Sequence, residues 1–139
     1  MIELDNRTSL YVNEPLLLKI TNSLTDKEIE LIITQNREIQ EINALHRGID
    51  KATDVLSFPY EDMPMSPLGS IVIAEDFVRE KAKELGHSDD DEMILLYIHG
   101  LLHLLGYDHE VDNGEMREKE IALIKEFNLP ISLIVRTEG

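Results

Sequence analysis

The sequence of 139 residues has the size of one domain, and its 42% hydrophobic residues are enough to build a core. A formal net charge of −15 argues against broad, non-specific binding of nucleic acid, so an RNA partner would need a local basic patch, a metal ion or a protein surface that presents it. The chain has no cysteine, no apolar run long enough for a membrane span and no start typical of a signal peptide. We therefore expect one cytoplasmic domain over residues 1–139, with no membrane partner.

Patterns of apolar residues predict strands and helices that alternate through the first half of the chain. Asn13 has the side chain of a helix N-cap, and Pro15 follows near the start of the helix that it opens. Gly48 and Gly86 are predicted to end two later helices. The predicted strands are Met1–Leu4, Glu28–Thr34, Asp54–Pro59 and Gly69–Ala74, and the other predicted helices are Asn36–His46, Glu75–Leu85, Asp90–Leu105 and Asn113–Phe127.

This order predicts an α+β fold, an α/β mixture in which a small mixed sheet of about four strands is covered by helices. The strands Asp54–Pro59 and Gly69–Ala74 are expected to be neighbours in the sheet, since strands that follow each other in sequence usually are. The predicted helix Asp90–Leu105 has apolar residues in every direction around its axis, and a helix of this kind is buried. We therefore expect this helix to lie at the centre of the fold.

Two histidines are the only strongly polar side chains between Met93 and Leu105 on this helix. The i, i+4 spacing of His99 and His103 places them on one face with Cβ atoms about 5–6 Å apart. Two imidazole nitrogens can converge from there on one metal ion at about 2.0–2.1 Å. The alternative is a pair of hydrogen-bonded core histidines, which would need several polar partners in a very apolar segment.

A third histidine follows a predicted helix end. Gly106 can adopt the left-handed conformation that stops a helix, so the chain can turn back and bring His109 toward the same point. Three histidines with an open fourth position are typical of a catalytic zinc site, whereas structural sites are usually closed by cysteines. The sequence thus predicts one zinc ion per chain, held by His99, His103 and His109. Asp108 is open to two interpretations, support of a ligand histidine or a residue that favours the turn.

The spacing His-x-x-x-His-x-x-Gly-x-x-His resembles the zinc site of metzincin peptidases and implies a zincin-like arrangement. Those enzymes carry a glutamate general base directly after the first histidine, where this chain has Gly100. Glycine cannot take a proton, which disfavours peptide hydrolysis by that route. It can instead allow close approach of another backbone to the core helix.

The full string His-Gly-Leu-Leu-His-Leu-Leu-Gly-Tyr-Asp-His is similar to that of the YbeY family, bacterial endoribonucleases of ribosomal RNA maturation. Residues 43–59, which include Thr-Asp-Val-Leu-Ser-Phe-Pro, and residues 115–120 also resemble that family. The resemblance extends from about Glu28 to Phe127, and Ser70 departs from the aspartate expected there. It implies that His99, His103 and His109 bind zinc and that Arg47 is the family's functional arginine.

The position of Arg47 also favours a role in substrate binding, because a guanidinium just before a glycine turn can bind a phosphate through paired hydrogen bonds. The simpler interpretation is a basic residue that favours the end of a helix dipole. Thr53, Asp54 and Ser57 would either support Arg47 or serve turn and strand-end chemistry. The candidates for a local basic patch are Lys51, Arg79, Lys81 and Lys83. The acidic run Asp89–Glu92 is interpreted as a favourable helix start. His46 and His87 are predicted to be surface or capping residues.

The resemblance implies a zinc-dependent endoribonuclease that is specific for single strands. It would act in maturation of the small-subunit ribosomal RNA 3′ end and in ribosome quality control. Its partners would be single-stranded or ribosomal RNA and the ribosome or ribosome-associated proteins, and DNA is not expected. Two alternatives stay open: a metallopeptidase or amidase, and a non-enzymatic ribosome assembly factor whose zinc is structural.

Overall fold

A computed structural model of the chain describes residues 1–61, 65–108, 110–130 and 133. Across these residues strands and helices alternate first and three helices follow at the end, as the sequence predicts. The elements are β1 (Ile2–Asn6), α1 (Glu14–Asn22), β2 (Ile29–Thr34), α2 (Asn36–Arg47), β3 (Val55–Pro59), β4 (Gly69–Ala74), α3 (Glu75–Leu85), α4 (Asp89–Leu104) and α5 (Glu115–Glu126).

The four strands form one mixed sheet in the order β1-β2-β4-β3. β1, β2 and β4 are parallel, and β3 pairs with β4 in the antiparallel direction at the edge of the sheet. β1 is longer than its own pattern predicts because it pairs with β2 as far as Asn6 and Ile33. The expectations of an α+β fold with about four strands, and of adjacent β3 and β4, are therefore confirmed.

The main core lies on one face of the sheet. Alternate residues of β2, such as Ile29 and Leu31, are fully buried there with the apolar side chains of α4. The opposite face packs on α2, where Ile39 and Val72 belong to a smaller apolar cluster. Helix α4 is buried over nearly its whole circumference, as its sequence predicts. No helix in the described part of the chain is long and apolar enough to cross a membrane.

Side-chain hydrogen bonds to backbone amides explain where α1, α4 and α5 begin. The Asn13 carboxamide accepts a hydrogen bond from the Leu16 amide at 3.3 Å, as expected of an N-cap. Ser88 caps α4 in the same way, so that helix begins one residue earlier than predicted, at Asp89. Helix α5 begins later than predicted because the Asp112 carboxylate binds the amides of Gly114 and Met116 at 2.8 and 3.0 Å.

Candidate active site

His99 and His103 lie on the one face of α4 that is not fully buried. Their Nε2 atoms face each other 3.1 Å apart, and the two rings are nearly perpendicular, with an interplanar angle of 79°. Two nitrogens bound at about 2.05 Å to one tetrahedral ion would be about 3.3 Å apart. The observed separation is thus close to the one that a shared metal ion requires.

The other nitrogen of each ring contacts a hydrogen-bond acceptor. His99 Nδ1 lies 2.8 Å from the Glu120 carboxylate, and His103 Nδ1 lies 3.1 Å from the carbonyl oxygen of Tyr107. A carboxylate and a carbonyl can only accept, so each Nδ1 is the donor, and a ring that is neutral then has its lone pair on Nε2. Two facing lone pairs repel unless a cation or a proton lies between them. This donor set therefore fits a metal ion such as zinc, and a simple pair of hydrogen-bonded core histidines would need an extra proton.

The chain turns back after α4 as predicted. Gly106 has φ +99°, which is in the left-handed region that ends helices, and its amide donates to the His103 carbonyl at 3.0 Å. The third predicted ligand, His109, lies outside the described residues. Among residues 1–61, 65–108, 110–130 and 133, no group of three His, Cys, Asp or Glu side chains is placed to hold an ion.

Glu120 is a site residue that the sequence reasoning missed. It lies on α5 and is 6% exposed, although glutamate is almost never buried without a partner. The buried face of α5 consists of Met116, Glu120, Leu123 and Ile124, so a glutamate stands inside an apolar stripe of helical spacing. That irregularity was visible in the sequence, but its partner, 21 positions earlier in the chain, was not.

A cleft of about 640 Å³ opens beside the two histidines. Arg47, the last residue of α2, also lines this cleft and donates from a terminal guanidinium nitrogen (Nη2) to the Ser57 carbonyl at 3.0 Å. The same guanidinium lies 5.7 Å from the centre of the Phe58 ring, a cation–π distance. The fold thus brings Arg47, His99 and His103 to one cleft. Its described lining residues are Arg47, Thr53, Asp54, Val55, Ser57, Pro59, His99, His103, Gly106, Tyr107, Asp108 and Glu110.

Arg47 is the one lysine or arginine among these lining residues, and three carboxylates accompany it. Two of them have local structural tasks. Asp54 accepts from the Val55 amide at 2.8 Å, and Asp108 accepts from the Glu110 amide at 3.0 Å. The structure therefore favours the turn interpretation of Asp108 and the strand-end interpretation of Asp54, whereas Ser57 contacts Arg47 directly.

Gly100 allows close packing between α4 and the sheet, but its neighbours are side chains and not the backbone that we expected. A Cβ at this position would lie 2.9 Å from Ile71 Cγ2 and 3.1 Å from Ser57 Oγ. A glutamate, the general base of metzincins, would therefore not fit here unless the Ile71 or Ser57 side chain moved.

The remaining charged candidates lie outside this cleft. The prediction of a surface role is wrong for His87, whose side chain is 4% exposed and lies 2.8 Å from the fully buried Glu92. The alternative of a capping role is supported, because the His87 amide donates to the Ala82 carbonyl at 3.0 Å at the end of α3. His46 is exposed, as expected. Arg79 forms ion pairs with Glu75 and Asp89 at 2.9 Å, and the Glu75 carboxylate is the main reason that its pKa is raised. Because the Arg79 guanidinium is paired with two carboxylates, this residue does not contribute to the predicted basic patch.

Comparison with known proteins supplies the family. Residues 5–128 match the model of a protein family described as Endoribonuclease YbeY. A protein of that name from Sulfurimonas denitrificans is 67% identical over 139 residues and covers all of both chains. Another from Helicobacter pylori is 55% identical and covers 99% of each chain. A solution structure of a Thermotoga maritima protein superimposes with a TM-score of 0.63 at 31% identity, covering 91% of this chain and 89% of that one.

Proposed function

The chain belongs to the YbeY family of endoribonucleases, and on this premise we propose that it is a zinc-dependent endoribonuclease that cleaves single-stranded RNA. The observation that carries the zinc requirement is the pair of facing Nε2 atoms, 3.1 Å apart, whose rings are both held through Nδ1. The observation that carries phosphate chemistry is the presence of Arg47 in the same cleft.

His99, His103 and His109 would hold the metal ion. Zinc bound there would supply a Lewis acid that polarises a phosphoryl oxygen and lowers the pKa of bound water to near neutrality. This chemistry would compensate for the absence of a glutamate base at position 100. The chain's own contribution is to keep the two Nε2 lone pairs aimed at one point. The Glu120 carboxylate would do this for His99 and the Tyr107 carbonyl for His103.

Arg47 would bind the scissile phosphate and stabilise the negative charge that grows on it in the transition state. Its guanidinium is permanently charged and presents several N–H donors in a planar fork, of which the Ser57 carbonyl uses one. The contacts with Ser57 and Phe58 hold this fork at the wall of the cleft before substrate arrives. A pre-placed donor loses little freedom on binding, which favours catalysis.

A single strand is the expected substrate because its backbone can bend into a cleft whose metal-binding face belongs to a core helix. A duplex is bound mainly through basic residues that neutralise its phosphates, and the net charge of −15 and the carboxylates of the cleft disfavour such contacts. We propose ribosomal RNA as the substrate in the cell, in small-subunit 3′-end maturation and ribosome quality control, with ribosome-associated proteins that present the RNA. A cysteine-free chain fits the cytoplasm in which this work would occur.

The test compares substrates on one preparation. Protein loaded with one equivalent of zinc is incubated with a single-stranded RNA, its duplex, the matching DNA strand and an unstructured peptide. We expect cleavage of the single-stranded RNA alone, and loss of that cleavage after chelation with recovery on adding zinc. Peptide cleavage with intact RNA would overturn the proposal in favour of a metallopeptidase.

The assembly-factor alternative makes a different prediction for the histidines. If zinc were purely structural, His99→Ala would unfold the protein and leave no separate catalytic defect. The proposed function instead predicts that His109→Ala is folded, poor in zinc and inactive. Circular dichroism, metal content and RNA cleavage on the same samples separate the two, and a folded, metal-poor variant with full cleavage would contradict the proposal.

A further inference from the structure

Ser57 is in contact with both halves of the candidate active site. Its hydroxyl donates to the carbonyl oxygen of Gly100 at 3.2 Å, next to His99 on α4. Its own carbonyl oxygen accepts the Arg47 guanidinium at 3.0 Å. The residue lies on edge strand β3, lines the cleft and is 8% exposed. One buried residue thus joins the histidine helix to the arginine.

The two contacts fix different parts of the geometry. The hydroxyl contact ties β3 to α4 at a point where Gly100 has no Cβ, since a Cβ there would lie 3.1 Å from the Ser57 Oγ. The carbonyl contact ties Arg47 to β3, and the Phe58 ring at 5.7 Å limits how the guanidinium can tilt. Arg47 is otherwise an exposed side chain at a helix end, and such a long side chain loses rotamer freedom when it is held in one position.

From this arrangement we propose that Ser57 is a positioning residue that sets where the Arg47 guanidinium stands relative to the histidine pair. This inference depends on the proposed function, because it concerns the same reaction. Removal of the hydroxyl keeps the backbone carbonyl but deletes the hydrogen bond from β3 to the Gly100 carbonyl, so β3 and the Arg47 guanidinium bound to it shift slightly relative to α4. A misplacement of about 1 Å costs on the order of 100-fold in rate when a charged group must meet a transition state.

The experiment is a double-mutant cycle on the zinc-loaded protein. Ser57→Ala is expected to lower kcat for single-stranded RNA by roughly 10- to 100-fold with little change in KM. In an Arg47→Ala background, measured under single-turnover conditions, the same substitution is expected to change the rate by less than about twofold. Ser57→Thr, which keeps the hydroxyl on a strand, should recover most of the loss.

Two further measurements separate positioning from a general structural effect. Zinc affinity and the urea unfolding midpoint of Ser57→Ala should stay close to those of the unaltered protein. Ser23→Ala is the matched control, since it removes a serine hydroxyl that donates to a helix carbonyl at 2.7 Å and does not line the cleft. It should leave the kinetics unchanged.

The outcomes are distinct. If the unaltered protein does not cleave RNA, the proposed function fails, whatever Ser57 does. If it does cleave RNA, the inference is overturned by any of three results: an equal loss with and without Arg47, no loss in Ser57→Ala, or a fall in zinc affinity that accounts for the loss.

Discussion

The two walls of the cleft are built in different ways. His99 and His103 project from α4, a helix buried in the main core, and each ring is fixed by one acceptor on Nδ1. Arg47 stands at the exposed end of α2 and is held by one backbone carbonyl and one aromatic ring. The histidine wall therefore belongs to the core, whereas the arginine wall depends on contacts with the edge strand β3. Substitutions should separate these two kinds of support.

The largest effect is expected from the histidine wall. His103→Ala removes one of the two facing Nε2 atoms and the hydrogen bond between His103 Nδ1 and the Tyr107 carbonyl oxygen. Because the loss of this hydrogen bond is a small change, α4 should stay folded. Zinc affinity and RNA cleavage should both fall by more than about 100-fold, since even the outer partners of metal ligands are worth about 10- to 100-fold. Zinc content and cleavage of the purified variant check this, and a variant that retains tight zinc binding would show that the ion lies elsewhere.

Arg47→Ala should affect the reaction alone. We expect kcat to fall about 100-fold, as on removal of one donor to a developing oxyanion, while zinc affinity is unchanged. Arg37→Ala is the control, because this arginine lies on the same helix, is 94% exposed in its side chain and only approaches Glu41 at 3.8 Å. If Arg47→Ala also bound zinc more weakly, the arginine wall and the histidine wall would not be independent of each other.

Substitutions of Glu120 test what holds the His99 ring in its orientation. Glu120→Ala should weaken zinc binding by about 10- to 100-fold, because His99 loses the acceptor that fixes its ring. Glu120→Gln keeps an acceptor oxygen and should lose less. Competition with a chromogenic chelator gives both affinities, and equal binding by all three proteins would exclude an orienting role for this carboxylate.

Gly100→Ala acts where the two walls meet. The added methyl would press on Ile71 and on the Ser57 hydroxyl, so we expect a destabilisation of about 1–3 kcal/mol in urea unfolding. Cleavage should fall more than zinc affinity does, because β3 moves against α4. Gly48→Ala is not an equivalent control, since that glycine ends α2 with φ +69°, which a side chain disfavours.

The smallest effect is expected at the far end of α2. The Thr34 hydroxyl and then Arg7 hold the pKa of the Glu38 carboxyl below its usual 4.5. A lowered folded pKa contributes stability above the unfolded value, and that stability is lost as the pH falls through the folded value. Urea midpoints between about pH 5 and pH 3 should therefore decline less steeply in Glu38→Gln than in the unaltered protein. Identical pH profiles would mean that this contact does not anchor α2 in solution.

The two walls also differ in how well the sequence predicts them. The fold class, the buried character of α4 and the facing of His99 and His103 follow from periodicity, which is a local property. The contacts of Glu120 and Ser57 do not, because they join residues 21 and 43 positions apart in the chain. The burial of His87 is missed for a different reason, since its partner Glu92 is only five positions away but has the pattern of an ordinary acidic residue at a helix start.

The outer edge of β3 has one more consequence. The backbone groups that face away from β4 there belong to Val55, Ser57 and Pro59. Asp54 occupies the Val55 amide, Arg47 occupies the Ser57 carbonyl, and proline has no N–H to offer. A foreign strand that tried to extend the sheet here would find these groups already bonded or missing, which weakens pairing at this edge.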